Sequence, residues 1–161
     1  MSGNGILISL NEKNQDKLSS AQSDEEVINT ILELEEEVDN DSIFELDKAW
    51  NILHRSLTDG RLEYDNGEYP LNMCIMNGFQ IHEGDESVVS VVPQDKVPDI
   101  AAALENITYD KFKDGFSKID TSNFPVTKDD LEYGWSIFQG LPEFWKHAAL
   151  KNRAVVFHTD L

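Results

Sequence analysis

A single cysteine, a shortage of positive charge and the absence of any long apolar run bound this 161-residue chain before any motif is read. Cys74 has no partner with which to form an internal disulfide, so a reducing compartment, the cytoplasm, is the expected setting. No apolar stretch approaches the roughly 20 residues that span a bilayer, which excludes an integral membrane helix. No basic region followed by an apolar stretch opens the chain, so a secretory leader is not expected. Only 13 lysines and arginines face 31 aspartates and glutamates, for a net charge of −18. A field of that sign repels phosphate and anionic lipid, and neither nucleic acid nor membrane is an expected partner.

Several signatures of chemistry are missing as well. The four histidines include no His-x-His or His-x-x-x-His pair, and no metal site is expected. No serine sits in a nucleophile-elbow context. Gly3-Asn4-Gly5 precedes an apolar run, whereas a phosphate loop follows a strand and opens a helix, so nucleotide binding is rejected. Asp39-Asn40-Asp41-Ser42 begins like a calcium loop. Its sixth position is Phe44 instead of glycine and its twelfth is Trp50 instead of glutamate, so it reads as a solvated linker. No cofactor is expected.

What is present is a series of patterned elements. Gly5–Leu10 (Gly-Ile-Leu-Ile-Ser-Leu) predicts a buried first strand, and Asn11–Ala21 a short helix or turn. Ser23-Asp24-Glu25-Glu26 is a capping box, opening a helix that turns Val27, Ile28, Ile31, Leu32 and Leu34 inward. Its glutamates gather at the end where the helix dipole disfavours anions, so it should end before Asp39. Asn66-Gly67 gives a hairpin signal, but a loop followed by a short helix over Pro70–Asn77 is preferred, with Cys74 as a small buried side chain. Phe79–His82 and Ser87–Val92 predict strands. Helices follow over Asp95–Asn106, over Thr108–Ile119, from Thr127 onward and, after a break at Gly140 and Pro142, over Glu143–Lys151. Ala154–Phe157 predicts a last strand covered on both faces.

The strongest pattern is Leu46–Gly60. Leu46, Trp50, Leu53 and Leu57 recur at helical spacing, Asp41 or Ser42 supplies an N-cap, and Asp59-Gly60 ends the helix. Asp47 and His54 would then flank Trp50, two turns apart on one side. The run Leu46-Asp47-Lys48-Ala49-Trp50-Asn51-Ile52-Leu53-His54, with Leu57-Thr58-Asp59-Gly60, resembles the YfbM-like family, bacterial domains of unestablished function. The ending Phe144-Trp145-Lys146-His147-Ala148-Ala149, followed by Arg153–Phe157, supports the resemblance, which covers nearly the whole chain. Gly140 and Pro142 depart from it, since family members look more continuously helical there. The resemblance implies an α/β fold, with α+β as the alternative: a single domain over residues 1–161 with a small mixed sheet packed between helices. It carries no catalytic residues across.

The candidate pocket residues are Asp47, Trp50, His54 and Arg55: an acid or anion-binding group and an imidazole that titrates near neutrality, beside an indole. The plainer reading makes Trp50 core, ties His54 to a backbone carbonyl and has Asp47 cap or pair. His82, His147 and His158 are scattered. Trp135, Phe138, Phe144 and Trp145 would form an aromatic surface for a partner, or simply core. The leading functional expectation is a non-enzymatic binding module whose acidic surface recognises a basic protein, in the manner of an immunity protein or antitoxin. Charge of this kind speeds encounter more than it supplies affinity, and it also serves solubility alone. It is uneven: Asp24–Asp47 holds eleven acidic residues and no basic one. A small-molecule-binding protein or enzyme with a pocket around Asp47, Trp50 and His54 is the alternative, and a domain with no dedicated ligand the third reading.

Overall fold

A computed structural model describes residues 3–82 and 84–161 of the chain. The first strand, β1 (Gly5–Leu10), forms where its branched and apolar residues predict it. Side chains alternate across a strand, so Leu7 enters one core while Ile8 and Leu10 enter another on the opposite face. Two helices follow. Helix α1 (Glu12–Ser19) is capped by the Asn11 side chain, which accepts from the Asn14 amide at 2.8 Å. Helix α2 (Asp24–Glu37) is capped by Ser23, whose hydroxyl accepts from the Glu26 amide at 3.2 Å. The Glu26 carboxylate accepts from the amide of Gln22, one residue earlier than the reciprocal bond of a capping box. Val27, Ile31 and Leu34 of α2 are buried, whereas Leu32, which the sequence turns inward, is 48% exposed.

The Leu46–Gly60 segment is where the structure corrects the sequence. It is not one helix: β2 spans Ile43–Asp47, a turn follows, and α3 is only Trp50–Leu57. Phe44 and Leu46 lie two apart, so one apolar pair satisfies the strand period, and the edge of β1 is there to receive it. Leu46 is buried either way, which is why the helical stripe looked complete. Ala49, with no side-chain cap, takes the N-cap position expected of Asp41 or Ser42. The predicted stop holds. Gly60 has φ +89°, donates to the Arg55 carbonyl at 2.9 Å, and has no room for a Cβ, which would fall 2.4 Å from the Lys118 carbonyl oxygen.

The residues after α3 run through a long loop in which Leu71–Met73 makes one 3₁₀ turn, in place of the expected helix over Pro70–Asn77. Cys74 is fully buried, and burial pushes its thiol well above its ordinary range. Two strands follow, β3 (Phe79–Gln80) and β4 (Ser87–Val92). A helical layer comes next: α4 (Val97–Leu104), α5 (Tyr109–Phe116), α6 (Lys128–Phe138) and α7 (Leu141–Leu150). The break between α6 and α7 falls at Gln139-Gly140, with Pro142 in the first turn of α7, where its missing N–H costs nothing. β5 (Ala154–Asp160) closes the sheet.

The strand order is β2-β1-β5-β4-β3. Every described pairing is antiparallel, so the expected mixed sheet is corrected to an antiparallel one. One crossover helix returns a chain parallel, but two helices separate β1 from β2 and four separate β4 from β5. The domain thus keeps the expected α/β content in an α+β arrangement of three layers. Helices α1 and α2 cover one face over Ile8, Leu10, Val89 and Val156. Helices α3 to α7 cover the other, over the larger core that contains Leu7, Trp50, Val88 and Phe157. No helix among the described residues is long and apolar enough to cross a membrane.

Candidate functional site

Of the four residues singled out in the sequence, Trp50 and His54 are buried, Arg55 is half-buried and Asp47 is exposed. Asp47 ends β2 with φ +53°, unusual for a residue with a Cβ. Its carboxylate accepts from the Tyr133 hydroxyl at 2.6 Å, and burial together with that bond pushes the tyrosine up to about 12. Trp50 packs against the Phe157 ring with centroids 5.8 Å apart, and its Nε1–H donates to the Gly3 carbonyl at 3.0 Å. Arg55 donates from Nε to Asn51 at 2.7 Å and from a terminal nitrogen to the Gly60 carbonyl at 3.2 Å. Its guanidinium lies 4.1 Å over the Phe124 ring. None of the principal surface depressions is lined by Trp50, His54 or Arg55, so these side chains and Asp47 share no cleft.

His54 instead belongs to a buried amide network. Its Nε2 lies 2.9 Å from Asn66 Oδ1. An amide oxygen only accepts, so the network assigns the imidazole hydrogen to Nε2. Asn77 donates from Nδ2 to the same oxygen at 3.0 Å and to the Asn66 carbonyl at 2.9 Å. The Asn66 amide nitrogen donates to Asp59 at 2.6 Å, to the Arg61 carbonyl at 2.8 Å and to Thr58 at 3.2 Å. Burial lowers the affinity of His54 for a proton, against the opposing pull of Asn66 and of the Glu63 backbone. Arg61, hydrogen-bonded to Asp59, holds that carboxylate down at about 2. The Asn66-Gly67 pair, which carries a hairpin signal in the sequence, here places an amide under α3, and no periodic pattern marks it for that role.

The histidines do not converge. His82, His158 and His147 line three different depressions. Among the described residues no group of three histidines, cysteines or carboxylates is placed to hold a metal ion. Phe138, Phe144 and Trp145 are core, and Trp135 stacks on Phe138 at 5.2 Å instead of joining an exposed aromatic surface.

The charge converges elsewhere. Two depressions lie along α2 on the helix–sheet boundary and share Asp160 of β5. The larger, about 910 Å³, is lined by the carboxylates of Asp24, Glu25, Asp85, Glu86 and Asp160. The smaller, about 600 Å³, has those of Glu35, Glu45, Asp47 and Asp160 around His158. Neither lining contains lysine or arginine. Glu25, Ile28, Asn29, Leu32 and Glu35 follow helical spacing, so one stripe of α2 serves both depressions and supplies an apolar strip. Strand register does the rest. Glu45 pairs with Ile6, and Ile6 with His158, which puts the three in one cross-strand row, with Asp160 two residues further along β5. Burial, reinforced by Asp160 and Glu45 and opposed by His158, raises the Glu35 carboxyl above its ordinary range.

The profile of a domain family of unknown function, DUF1877, matches residues 1–158. The fold is similar to that in "The Crystal Structure of a Protein of Unknown Function YfbM from Escherichia coli", with a TM-score of 0.71 and 14% identity over 98% of this chain and 99% of that one. At that identity the likeness is one of fold alone. No match is found among curated proteins. The chain belongs to the DUF1877 family, and with it to the YfbM-like fold that the residues of Leu46–Gly60 and Phe144–Phe157 resemble.

Proposed function

We propose that this protein is a binding module whose acidic groove along α2 takes a basic segment of a partner protein. The observation that carries the reading is the groove lining: eight carboxylates in two depressions that meet at Asp160, with no lysine or arginine among them. An acidic surface kept only for solubility needs neither concavity nor an apolar strip, and this groove has Ile28 and Leu32 along its length. A segment alternating basic and apolar residues matches both features, the charges speeding encounter and the apolar contacts holding it. Capture of a basic partner is the form that an immunity or antitoxin role would take. The alternative pocket around Asp47, Trp50 and His54 has less support, because only Asp47 lines a described depression.

The test uses a synthetic peptide of alternating arginine and leucine and two fourfold variants of equal charge. One carries Glu25→Gln, Glu35→Gln, Glu45→Gln and Glu86→Gln in the groove. The other carries Glu68→Gln, Asp95→Asn, Glu105→Gln and Asp114→Asn, none of which lines it. The groove variant is expected to lose about tenfold or more in affinity by calorimetry, and binding by the native protein to weaken as salt rises through the range where the Debye length falls below about 10 Å. Equal losses in both variants would mean that net charge alone is being read, and the groove would lose its role.

A further inference from the structure

Asn66-Gly67 and Asn77-Gly78 are two Asn-Gly dipeptides whose side chains meet in the network beneath α3, where Asn77 donates to Asn66. Asparagine before glycine is the setting in which a side-chain amide is lost most readily. Glycine leaves its backbone nitrogen unshielded and the chain free to bend toward it. The fold holds the first pair in place. Gly67 has φ +84°, and a Cβ there would fall 2.5 Å from Thr58 Cγ2. Asn66 donates through Nδ2 to Asp59, Arg61 and Thr58 and accepts through Oδ1 from His54 and Asn77, which no carboxylate can do. What separates the two asparagines is anchorage. Asn77 follows Met73, Cys74, Ile75 and Met76, all buried. Asn66 is the one buried residue within 63–69, and its side-chain bonds tie that exposed stretch to α3.

We propose that Asn66 is a site of spontaneous deamidation, reached when residues 63–69 swing off α3, and that the product cannot close again. While the stretch is closed, partners at both ends of the amide fix its plane against turning toward the Gly67 nitrogen. Once it opens, that nitrogen attacks Asn66 Cγ. A C–N bond forms, the Cγ–Nδ2 bond breaks, and Nδ2 leaves as ammonia with the proton that the Gly67 nitrogen gives up. Solvent water then opens the cyclic imide. Addition at Cγ leaves aspartate; addition at the main-chain carbonyl reroutes the backbone through the side chain as isoaspartate. Either product carries a carboxylate in place of the amide. It donates nothing to Arg61 or Thr58, and it repels Asp59, whose oxygen stood 2.6 Å from the amide nitrogen. The inference does not depend on the acidic groove.

The test is peptide mapping that separates asparagine, aspartate and isoaspartate, followed over time in mildly alkaline buffer for the folded protein and for the chain in urea. In urea, Asn66 and Asn77 should react within about threefold of each other, since both keep the same glycine neighbour and little else. In the folded protein, Asn66 should react about tenfold or more faster than Asn77, because each reacts through the open population of its own segment. Asp59→Ala removes one acceptor of the Asn66 amide and should speed Asn66 about tenfold while leaving Asn77 unchanged. Equal rates at the two sites in the folded protein, or an equal rise at both in Asp59→Ala, would mean that only global unfolding exposes them, and overturns the proposal. Asn66→Asp stands in for the product. Chymotryptic cleavage after Tyr64 should be about tenfold faster in this variant, with no new cleavage outside residues 63–69. Cleavage at the native rate overturns the irreversible release.

Discussion

Asn66 shows how much one side chain can organise. Its amide joins His54, Thr58, Asp59, Arg61 and Asn77, tying the loop after α3 to the C-terminal end of that helix. Such a network rewards a neutral imidazole, because a buried charge has too little around it to replace water. The sign of the pH dependence follows. The His54 proton affinity is lower folded than unfolded, so its contribution to stability is complete above the unfolded value of 6.5 and is lost as pH falls below it. The urea midpoint should therefore drop between pH 7.5 and pH 5.5. In His54→Gln, which keeps a donor for Asn66 but cannot titrate, that part of the drop should disappear, and an unchanged drop would refute the account. Asp59 acts in a separate window: held at about 2 against an ordinary 3.8, it supports the fold above 3.8 and ceases to do so as pH falls toward 2.

At the scale of elements, the segment around Trp50 is the instructive one. Strand β2 and helix α3 are each short, and a residue at the end of the strand turns the chain with positive φ. Helix α3 is held by contact on nearly every side, including the backbone of α5. A Cβ at Gly115 of α5 would fall 2.0 Å from the carbonyl oxygen of Ser56 in α3. Alanine would add about 1 kcal/mol of helix propensity, but the contact is with backbone, which cannot rotate away. The clash should win. Gly115→Ala is expected to destabilise by about 1–3 kcal/mol in urea denaturation as α5 is forced off α3. A variant as stable as the native chain would show that the two helices are free to separate.

Across the whole molecule, charge and function pull in opposite directions. Carboxylates crowd the α2 groove with no cation in its lining, and burial and its like-charged neighbours raise the Glu35 carboxyl. A carboxyl whose proton affinity is higher folded than unfolded stabilises below its unfolded value and opposes folding as pH rises past its folded one. At neutral pH, Glu35→Gln should therefore raise the melting temperature while it weakens the binding of basic peptide. Loss of stability in this variant would mean that Glu35 is held for the fold instead of for a ligand. Stability forgone where a ligand binds is a common pattern in proteins.

Much of this was legible in the residues alone. Strand β1, the cap of α2, the Gly60 stop, the break at Gly140 and Pro142, and strand β5 each rest on local chemistry: branched side chains, a short polar cap, a residue without a Cβ, a residue without an N–H. The acidity of Asp24–Asp47 is composition and needs no structure. What the tertiary structure alone decided is everything that depends on which partner is present. Leu46 fits a helix stripe or a strand face equally, and only the open edge of β1 selects the strand. The antiparallel sheet follows from the number of helices between strands, which no single element encodes. Asn66 meets His54, and Glu35 meets His158 and Asp160, across separations in sequence that carry no period. Local conformation is set by near neighbours along the chain; the groove, the amide network and the register are set by neighbours in space.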